Sequence, residues 1–290
     1  MPPAQTLPSG ADAHVVLAGL RFLVETPARL SGPERTALAA LGATADTPPS
    51  GDDAIVVRIE ASPPAWHEAT ARSDGPPAVL WADGCVRVQH SLMAAEIHPF
   101  ERRVTLFREA ERAWPLEVTL RVALAATLPG KGGLPLHAAG VVIAGSGLVF
   151  FGPSGAGKST LAATSPFPVL SDEMVAVVPS SLVEPAGGGA FSLAPTGFWG
   201  ELDGSGLRAS VPLAALAELG KGEAFSLERL GRREALPRLI ASTLVPPAPP
   251  LWGLALGVLG ELVRRVPVYR MRWRPSEPPW DGLRERLTPH

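Results

Sequence analysis

The sequence predicts a mixed α/β (α+β) chain of two domains, a small strand-rich module over residues 1–112 and a phosphate-loop domain over residues 113–290. In the first part, short apolar runs alternate with turn residues, which is typical of strands. In the second part, a glycine-rich motif at 152–159 stands between an apolar run and a helix-compatible segment. With 46% hydrophobic and 19% charged residues, the chain has ample apolar material for packed cores.

Strands dominate the predicted first domain. They are expected over residues 14–24, 54–59, 79–81, 85–88 and 103–107. Asp83-Gly84 separates two of these runs and predicts a hairpin. A helix is expected to begin at Ser31-Gly32-Pro33-Glu34, because serine caps helices and proline suits their first turn.

The second domain is predicted to open with a helix over residues 115–127, where leucine and alanine recur at helical spacing. Two apolar runs, 138–144 and 148–151, flank Gly145-Ser146-Gly147 and predict an antiparallel hairpin that leads directly into the glycine-rich motif. A further apolar stretch at 251–263 predicts a buried helix.

The glycine-rich motif fits the pattern G-x-x-x-x-G-K-[ST], which predicts a phosphate loop that binds a nucleoside triphosphate with magnesium. The predicted nucleotide-binding residues are Gly152, Pro153, Ser154, Gly155, Ala156, Gly157, Lys158, Ser159 and Thr160. Glycines let backbone N–H groups face the phosphates. Lys158 is expected to reach the β- and γ-phosphates and Ser159 to coordinate Mg²⁺. Thr160 ends the motif, and we expect it to act as a helix residue more than as a direct ligand.

An acidic pair, Asp172-Glu173, follows the apolar residues Val169-Leu170 and lies 14 residues after Lys158. A short helix and one strand use up that distance, so the pair is predicted to lie at a strand end beside the phosphates. Asp172 is the predicted general base and a predicted Mg²⁺ ligand. Glu173 is the second predicted catalytic carboxylate, and an ordinary surface turn is the alternative for both.

Three other features are less specific. His137 is a candidate catalytic residue, with an ordinary edge histidine as the alternative. Glu201 is a candidate metal ligand, with an exposed loop residue as the alternative. Arg270, Arg272 and Arg274 alternate with large apolar residues, which predicts a strand with either a solvated or an anion-facing basic side.

The segment Leu136–Val177 resembles the catalytic domain of HPr kinase/phosphorylase, and more closely the HPr-kinase-like proteins found beside peptide-modification genes. The residues that fall on that family's motif are His137, Lys158, Ser159, Asp172 and Glu173. The later segment 197–201 resembles a glycine-rich loop that carries a metal-associated glutamate. The resemblance implies a fold like that of the ATP-dependent phosphoenolpyruvate carboxykinases. It also implies ATP and Mg²⁺ as cofactors and transfer of the γ-phosphoryl group to a serine hydroxyl of a protein or peptide.

Two alternatives remain open from the residues. One is a small-molecule kinase of the shikimate or adenylate type, which is disfavoured because about 150 residues precede the loop and no arginine-rich lid follows it. The other is a nucleotide-binding regulatory or scaffold protein without catalysis, because Glu173 stands where the family usually has aspartate. An ABC-type ATPase is disfavoured because no LSGGQ motif lies downstream of the loop.

Charge and composition limit the partners. The net charge of −2 gives no support to a nucleic-acid partner, and no apolar stretch is long enough to predict a membrane span. The single cysteine, Cys85, together with a first ten residues that do not resemble a signal peptide, predicts a cytoplasmic protein. A protein or peptide substrate is expected, and a homo-oligomer is left open.

Overall fold

A computed structural model describes residues 7, 12–25, 30–45, 53–67, 75–109, 112–183, 189–202, 204 and 206–287. The chain forms two compact units. The first comprises residues 1–130 and 245–252, and the second comprises residues 131–244 and 253–290. Each unit contains one β-sheet, and the described residues also form a few helices, so the predicted mixed α/β (α+β) class is confirmed at this level.

The described part of the first unit holds seven strands and two helices. Its elements are β1 (Ala13–Leu17), β2 (Leu20–Glu25), α1 (Gly32–Ala40), β3 (Ile55–Glu60), β4 (Ala78–Ala82), β5 (Cys85–His90), β6 (Met93–His98), β7 (Arg103–Arg108) and α2 (Ala113–Thr127). The strands form one sheet in the order β1-β2-β3-β7-β6-β5-β4. Pairing is parallel in β2-β3-β7 and antiparallel elsewhere.

The predicted start of α1 is confirmed by a capping box. The Ser31 hydroxyl accepts a hydrogen bond from the Glu34 backbone N–H (3.3 Å), and the Glu34 carboxylate accepts one from the Ser31 backbone N–H (2.8 Å). Glu34 is fully buried and also forms an ion pair with Arg108 of β7. The buried carboxylate is therefore both paired and hydrogen-bonded, as such a group requires.

The predicted single strand over 14–24 is wrong, because the chain reverses at Ala18-Gly19 and forms the antiparallel hairpin β1-β2. Both turn residues have positive φ, 50° and 83°, which suits a two-residue turn. Alanine is rare in that conformation, so Ala18-Gly19 lacks the Asn-Gly or Asp-Gly pair that usually marks such a turn. The hairpin at Asp83-Gly84 is confirmed, whereas β6 was not predicted.

Helix α2 confirms the predicted helix over 115–127 but belongs to the first unit, which ends at Gly130. The sequence prediction instead opened the second domain with this helix, near residue 112. The physical reason for the difference is packing, since α2 lies against α1, β6 and β7 and buries Leu116, Leu120 and Leu124 there.

The remaining elements belong to the second unit, except that the first four residues of α5, 249–252, belong to the first unit. They are β8 (Leu134–Ile143), β9 (Ser146–Phe151), α3 (Lys158–Ala163), β10 (Val169–Ser171), β11 (Met174–Pro179), β12 (Phe191–Pro195), β13 (Val211–Lys221), β14 (Ser226–Arg229), α4 (Arg232–Ser242), α5 (Pro249–Arg265), β15 (Val268–Trp273) and α6 (Trp280–Leu287). Its sheet follows the order β10-β8-β11-β12-β13-β15-β14, with β9 off this path. Strand β9 pairs with β8 and β13, and β10 also pairs with β8.

Strands β8 and β9 form the predicted antiparallel hairpin, with Ala138 opposite Phe151. Its turn is Ala144-Gly145, where φ is 50° and 78°, so the turn lies one residue before the predicted one. On its other edge β9 pairs in parallel with β13, which in turn pairs in parallel with β15. The carboxyl ends of these three parallel strands therefore meet at one edge of the sheet, where β9 leads into the glycine-rich motif.

The core of this sheet is apolar and closely packed. Buried residues from β9, α3, β15 and α6 form one cluster that includes Phe150, Leu161, Met271, Trp273 and Trp280. The helix predicted over 251–263 is confirmed as α5, but the prediction that it is buried is only partly right. Leu251, Ala255, Leu259 and Leu262 are buried, whereas Leu254 and Leu256 are exposed. Within the described residues, no helix is both long and apolar enough to cross a membrane.

Candidate phosphate-binding site

The glycine loop, defined here as residues 152–157, connects the end of β9 to the start of α3. Its three glycines, Gly152, Gly155 and Gly157, have φ values of 149°, 76° and 95°. L-residues rarely adopt these angles, so glycine is needed for the chain to curl here. The strand–loop–helix context that the motif requires is present.

Neighbouring residues also restrict two of these positions. A Cβ atom added at Gly157 would lie 3.3 Å from Cζ2 of Trp273, and one added at Gly152 would lie 3.3 Å from the Leu219 carbonyl oxygen. Trp273 is buried at the end of β15, which brings its indole ring under the loop. The sequence prediction did not include Trp273, because nothing in its local pattern indicates that β15 ends beside the loop.

Lys158 is the first residue of α3, and only 6% of its surface is exposed. Its ammonium group donates hydrogen bonds to the carbonyl oxygens of Gly152 (3.0 Å) and Pro153 (3.2 Å). Burial lowers the pKa of Lys158 below its ordinary value, and the nearby negative charge of Glu173 partly opposes this shift. The loop therefore encloses a cation whose acceptors are the loop's own carbonyl groups.

Helix α3 is short, six residues, and its end is held by a distant residue. The indole N–H of Trp280 donates a hydrogen bond to the carbonyl oxygen of Thr164 (3.0 Å), at the helix C-cap. A helix of this length is not stable by itself. Tertiary contacts such as the Trp280 hydrogen bond must therefore support it. Ser159 and Thr160 both lie within the first turn of α3, half-buried and exposed respectively.

Asp172 lies at the end of β10, as predicted, and is almost fully buried. Its Oδ1 atom accepts a hydrogen bond from the backbone N–H of Gly200 (2.9 Å), and its Oδ2 atom accepts one from that of Glu201 (2.8 Å). Next to it, the Ser171 hydroxyl donates to the Phe198 carbonyl (2.7 Å). The end of β10 thus anchors the segment 198–201.

Glu173 and His137 lie next to each other, each with about one third of its side chain exposed. His137 Nδ1 is 3.7 Å from the Glu173 carboxylate and 3.1 Å from the Glu173 backbone carbonyl. They meet because β10 and β11 both pair with β8, with Ser171 opposite Gly140 and Met174 opposite His137. Of the acidic pair, Glu173 is the carboxylate whose charge acts on Lys158.

The predicted metal residues are only partly brought together. The backbone of Glu201, rather than its carboxylate, contacts Asp172. Among the described residues, no group of three or more His, Cys, Asp or Glu side chains is placed to hold a metal ion. Magnesium in phosphate-loop proteins usually needs fewer protein ligands, because substrate phosphates and water supply the rest. Among the predicted residues, the Ser159 hydroxyl and a carboxylate of the acidic pair are the groups that could supply such ligands.

The alternation predicted for β15 is confirmed, with Met271 and Trp273 buried. Arg270 on the other side forms ion pairs with Glu228 and Glu234, and Arg274 forms one with Glu277. Carboxylates thus balance the charges of Arg270 and Arg274, and these contacts favour a solvated rather than an anion-facing side.

Residues 116–245 match the family model described as SynChlorMet cassette protein ScmC. The match spans the end of the first unit and most of the second, including the glycine loop and the acidic pair. It shows that this region is similar to that family. No curated protein matches the chain.

This match corrects the resemblance to HPr kinase/phosphorylase, which was wrong, because the model that matches the same residues describes a different family. The resemblance rested on the order of histidine, hairpin, phosphate loop and acidic pair. Each of these features has a general structural or chemical role, so their order alone does not identify one family.

Proposed function

We propose that this chain binds ATP with Mg²⁺ at residues 152–160 and transfers the γ-phosphoryl group to a serine or similar hydroxyl of a protein or peptide. The observation that carries the proposal is the glycine loop with the buried Lys158 at its mouth. The loop fulfils the sequence pattern, the strand–loop–helix context and the backbone conformation that phosphate binding requires.

The contacts of Lys158 support a direct role in phosphate binding. Its ammonium is held by two carbonyl oxygens that carry only partial charge. Phosphate oxygens carry full charge and make stronger hydrogen bonds to an ammonium group. On binding, we expect the lysine to exchange these carbonyls for the β- and γ-phosphates, while loop N–H groups bind the same phosphates.

The acidic pair divides into two roles under this proposal. Both oxygens of Asp172 already accept backbone N–H groups, which makes this residue better suited to positioning segment 198–201 than to accepting a proton. Glu173 is partly exposed and acts electrostatically on Lys158. We therefore favour Glu173 as the general base for the acceptor hydroxyl, with His137 contacting its carboxylate. The sequence instead predicted Asp172 as the base, and that assignment stays a prediction.

Magnesium would be held by the Ser159 hydroxyl, by the nucleotide phosphates and by a carboxylate of the acidic pair, directly or through water. Bound there, the ion supplies positive charge that stabilises the transferring phosphoryl group. The chain's own contribution is to position Lys158, Ser159 and the acidic pair at one edge of the sheet, where the parallel strands end.

The finer fold assignment belongs to this proposal as well. Most phosphate-loop enzymes enter the loop from a strand that follows a helical crossover. Here the preceding strand, β8, is antiparallel to β9 and adjacent to it. This arrangement supports a phosphate-loop domain of the phosphoenolpyruvate-carboxykinase kind. From the sequence, this fold was only an implication of the resemblance, and the antiparallel pairing of β8 and β9 is the observation that now supports it.

The test is phosphoryl transfer from γ-labelled ATP with Mg²⁺. The first acceptors to test are peptides encoded by neighbouring genes, because the matching family is described as a cassette protein. Lys158→Ala is expected to weaken ATP binding at least about tenfold and to abolish transfer, because charge-assisted phosphate contacts are lost. Lys131→Ala removes a lysine outside the loop and serves as the matched control.

Two results would count against the proposal in different ways. If Lys158→Ala binds ATP–Mg²⁺ as tightly as the parent, the loop is not the nucleotide site. If the parent binds ATP but labels no acceptor, the non-catalytic regulatory alternative replaces phosphoryl transfer.

A further inference from the structure

A polar cavity separate from the glycine loop lies in the second unit, at the junction of β14, α4, α5 and β15. It encloses about 240 Å³. Four arginines line it, Arg229, Arg232, Arg264 and Arg265. The rest of the wall consists of apolar or small residues around Gly231 and Val268, so arginine is the only charged residue type that lines the cavity.

Carboxylates balance only part of that charge. Arg264 and Arg265 share a single partner, Glu261, in the preceding turn of α5. Within the described part of the chain, Arg229 and Arg232 form no ion pair. Four arginines therefore line the cavity, and a single carboxylate, that of Glu261, is paired with two of them.

The acidic residues nearest in sequence to Arg229 and Arg232 form ion pairs outside the cavity. Glu228 pairs with Arg270, and Glu234 pairs with both Arg238 and Arg270. The ion pairs of Glu228 and Glu234 with Arg270 join β14 and α4 to β15, and neither carboxylate residue lines the cavity. The excess positive charge of the cavity is thus left for an external anion.

Strand β15 separates this cavity from the glycine loop. Its first residue, Val268, lines the cavity, and its last, Trp273, lies under Gly157. Five residue steps of strand correspond to roughly 17 Å. An anion in the cavity cannot also contact the glycine loop, so the two are different sites.

We infer that this arginine-lined cavity binds a compact multivalent oxyanion that carries phosphate or carboxylate groups. The planar fork of arginine donates two parallel hydrogen bonds to either group, and several such forks around one cavity select for more than one negative charge. The backbone also favours an anion here, because the positive N-terminal end of α4 lies at the cavity. Its N-cap residue, Gly231, supplies no side-chain cap to the first N–H groups of the helix.

The experiment is calorimetric titration with pyrophosphate and with citrate at constant ionic strength, because salt screens exposed charges. Lys158→Ala is the background, since pyrophosphate is also expected to bind the glycine loop. In that background we expect one saturable site. Adding Arg232→Gln and Arg264→Gln should weaken it at least about tenfold, because two charge-assisted contacts are lost. Tighter binding of pyrophosphate assigns the site to phosphate compounds, and tighter binding of citrate assigns it to carboxylates.

Arg233→Gln is the matched control, because Arg233 is exposed on the same helix but does not line the cavity. It should leave the affinity unchanged. Thermal unfolding checks that each variant folds, and the single Arg232→Gln variant repeats the test if the pair of substitutions alters unfolding. The inference is overturned if neither probe binds saturably, or if Arg233→Gln weakens binding as much as the cavity variants. Neither result depends on whether the glycine loop binds ATP.

Discussion

The Oδ1 atom of Asp172 accepts a 2.9 Å hydrogen bond from the backbone N–H of Gly200, a residue 28 positions further along the chain. Gly200 has little space for a side chain, since an added Cβ would lie 3.1 Å from Oδ2 of Asp172 and 3.2 Å from Cβ of Glu173. The acidic pair and the segment around Gly200 are therefore packed directly on each other. The positions of the two carboxylates depend on that segment.

Asp172→Asn is expected to lower the free energy of unfolding by about 1–3 kcal/mol, the usual effect of losing a buried charged hydrogen-bond partner. The amide keeps one acceptor oxygen but turns an NH₂ donor toward one of the two backbone N–H groups. Urea unfolding measures the change. Glu201→Gln is the control, because Glu201 contributes its backbone N–H, which that substitution keeps. Equal stability of Asp172→Asn and the parent would show that the two hydrogen bonds contribute little.

Gly157→Ala is expected to destabilise the protein more than Gly155→Ala. Both positions have positive φ, so alanine costs about 1–2 kcal/mol at either one. Only at Gly157 does the new methyl group also meet Trp273, whereas nothing lies within 4 Å at Gly155. Thermal unfolding of the two variants measures the difference. Equal destabilisation by both would mean that the indole ring moves aside freely.

The pKa of Lys158 predicts a pH dependence of stability. Burial lowers this pKa in the folded chain below its ordinary value of 10.5, so between the two values the unfolded chain binds more protons. The free energy of unfolding of the parent should therefore rise with pH across that window, relative to Lys158→Met, which does not titrate. Urea unfolding at a series of pH values measures the difference. Ser159→Ala is the control, and its difference from the parent should stay constant. If the difference in unfolding free energy between the parent and Lys158→Met does not change with pH, the conclusion that Lys158 is buried with a lowered pKa is wrong.

Local signals predicted the hairpin β8-β9, the glycine loop and the position of Asp172 at a strand end. Each of these depends on residues close together in sequence. Glycine and lysine at fixed spacing specify a loop conformation, and two short apolar runs around a turn specify a hairpin. The same holds for the capping box of α1, where Ser31 and Glu34 are three residues apart.

Long-range contacts were not predictable in this way. Nothing near Asp172 indicates that its two oxygens bind the backbone of residues 200 and 201, because backbone N–H groups carry no sequence signature. Trp273 and Trp280 support the two ends of α3 from more than 100 residues away. The turn at Ala18-Gly19 was missed for a different reason, because tertiary pairing of β1 and β2 imposes a conformation that alanine disfavours.

The last prediction separates the roles of the two acids within the proposed phosphoryl transfer. Glu173 is partly exposed beside His137, whereas the oxygens of Asp172 are occupied by backbone N–H groups. Glu173→Gln should therefore lower the transfer rate on the order of a hundredfold, the scale of a lost general base, with little change in stability. Asp172→Asn should instead change stability and ATP affinity together. Single-turnover transfer from labelled ATP gives the rates, and urea unfolding gives the stabilities of the same preparations. If Asp172→Asn abolishes transfer at unchanged stability while Glu173→Gln transfers normally, the assignment is reversed and Asp172 is the base.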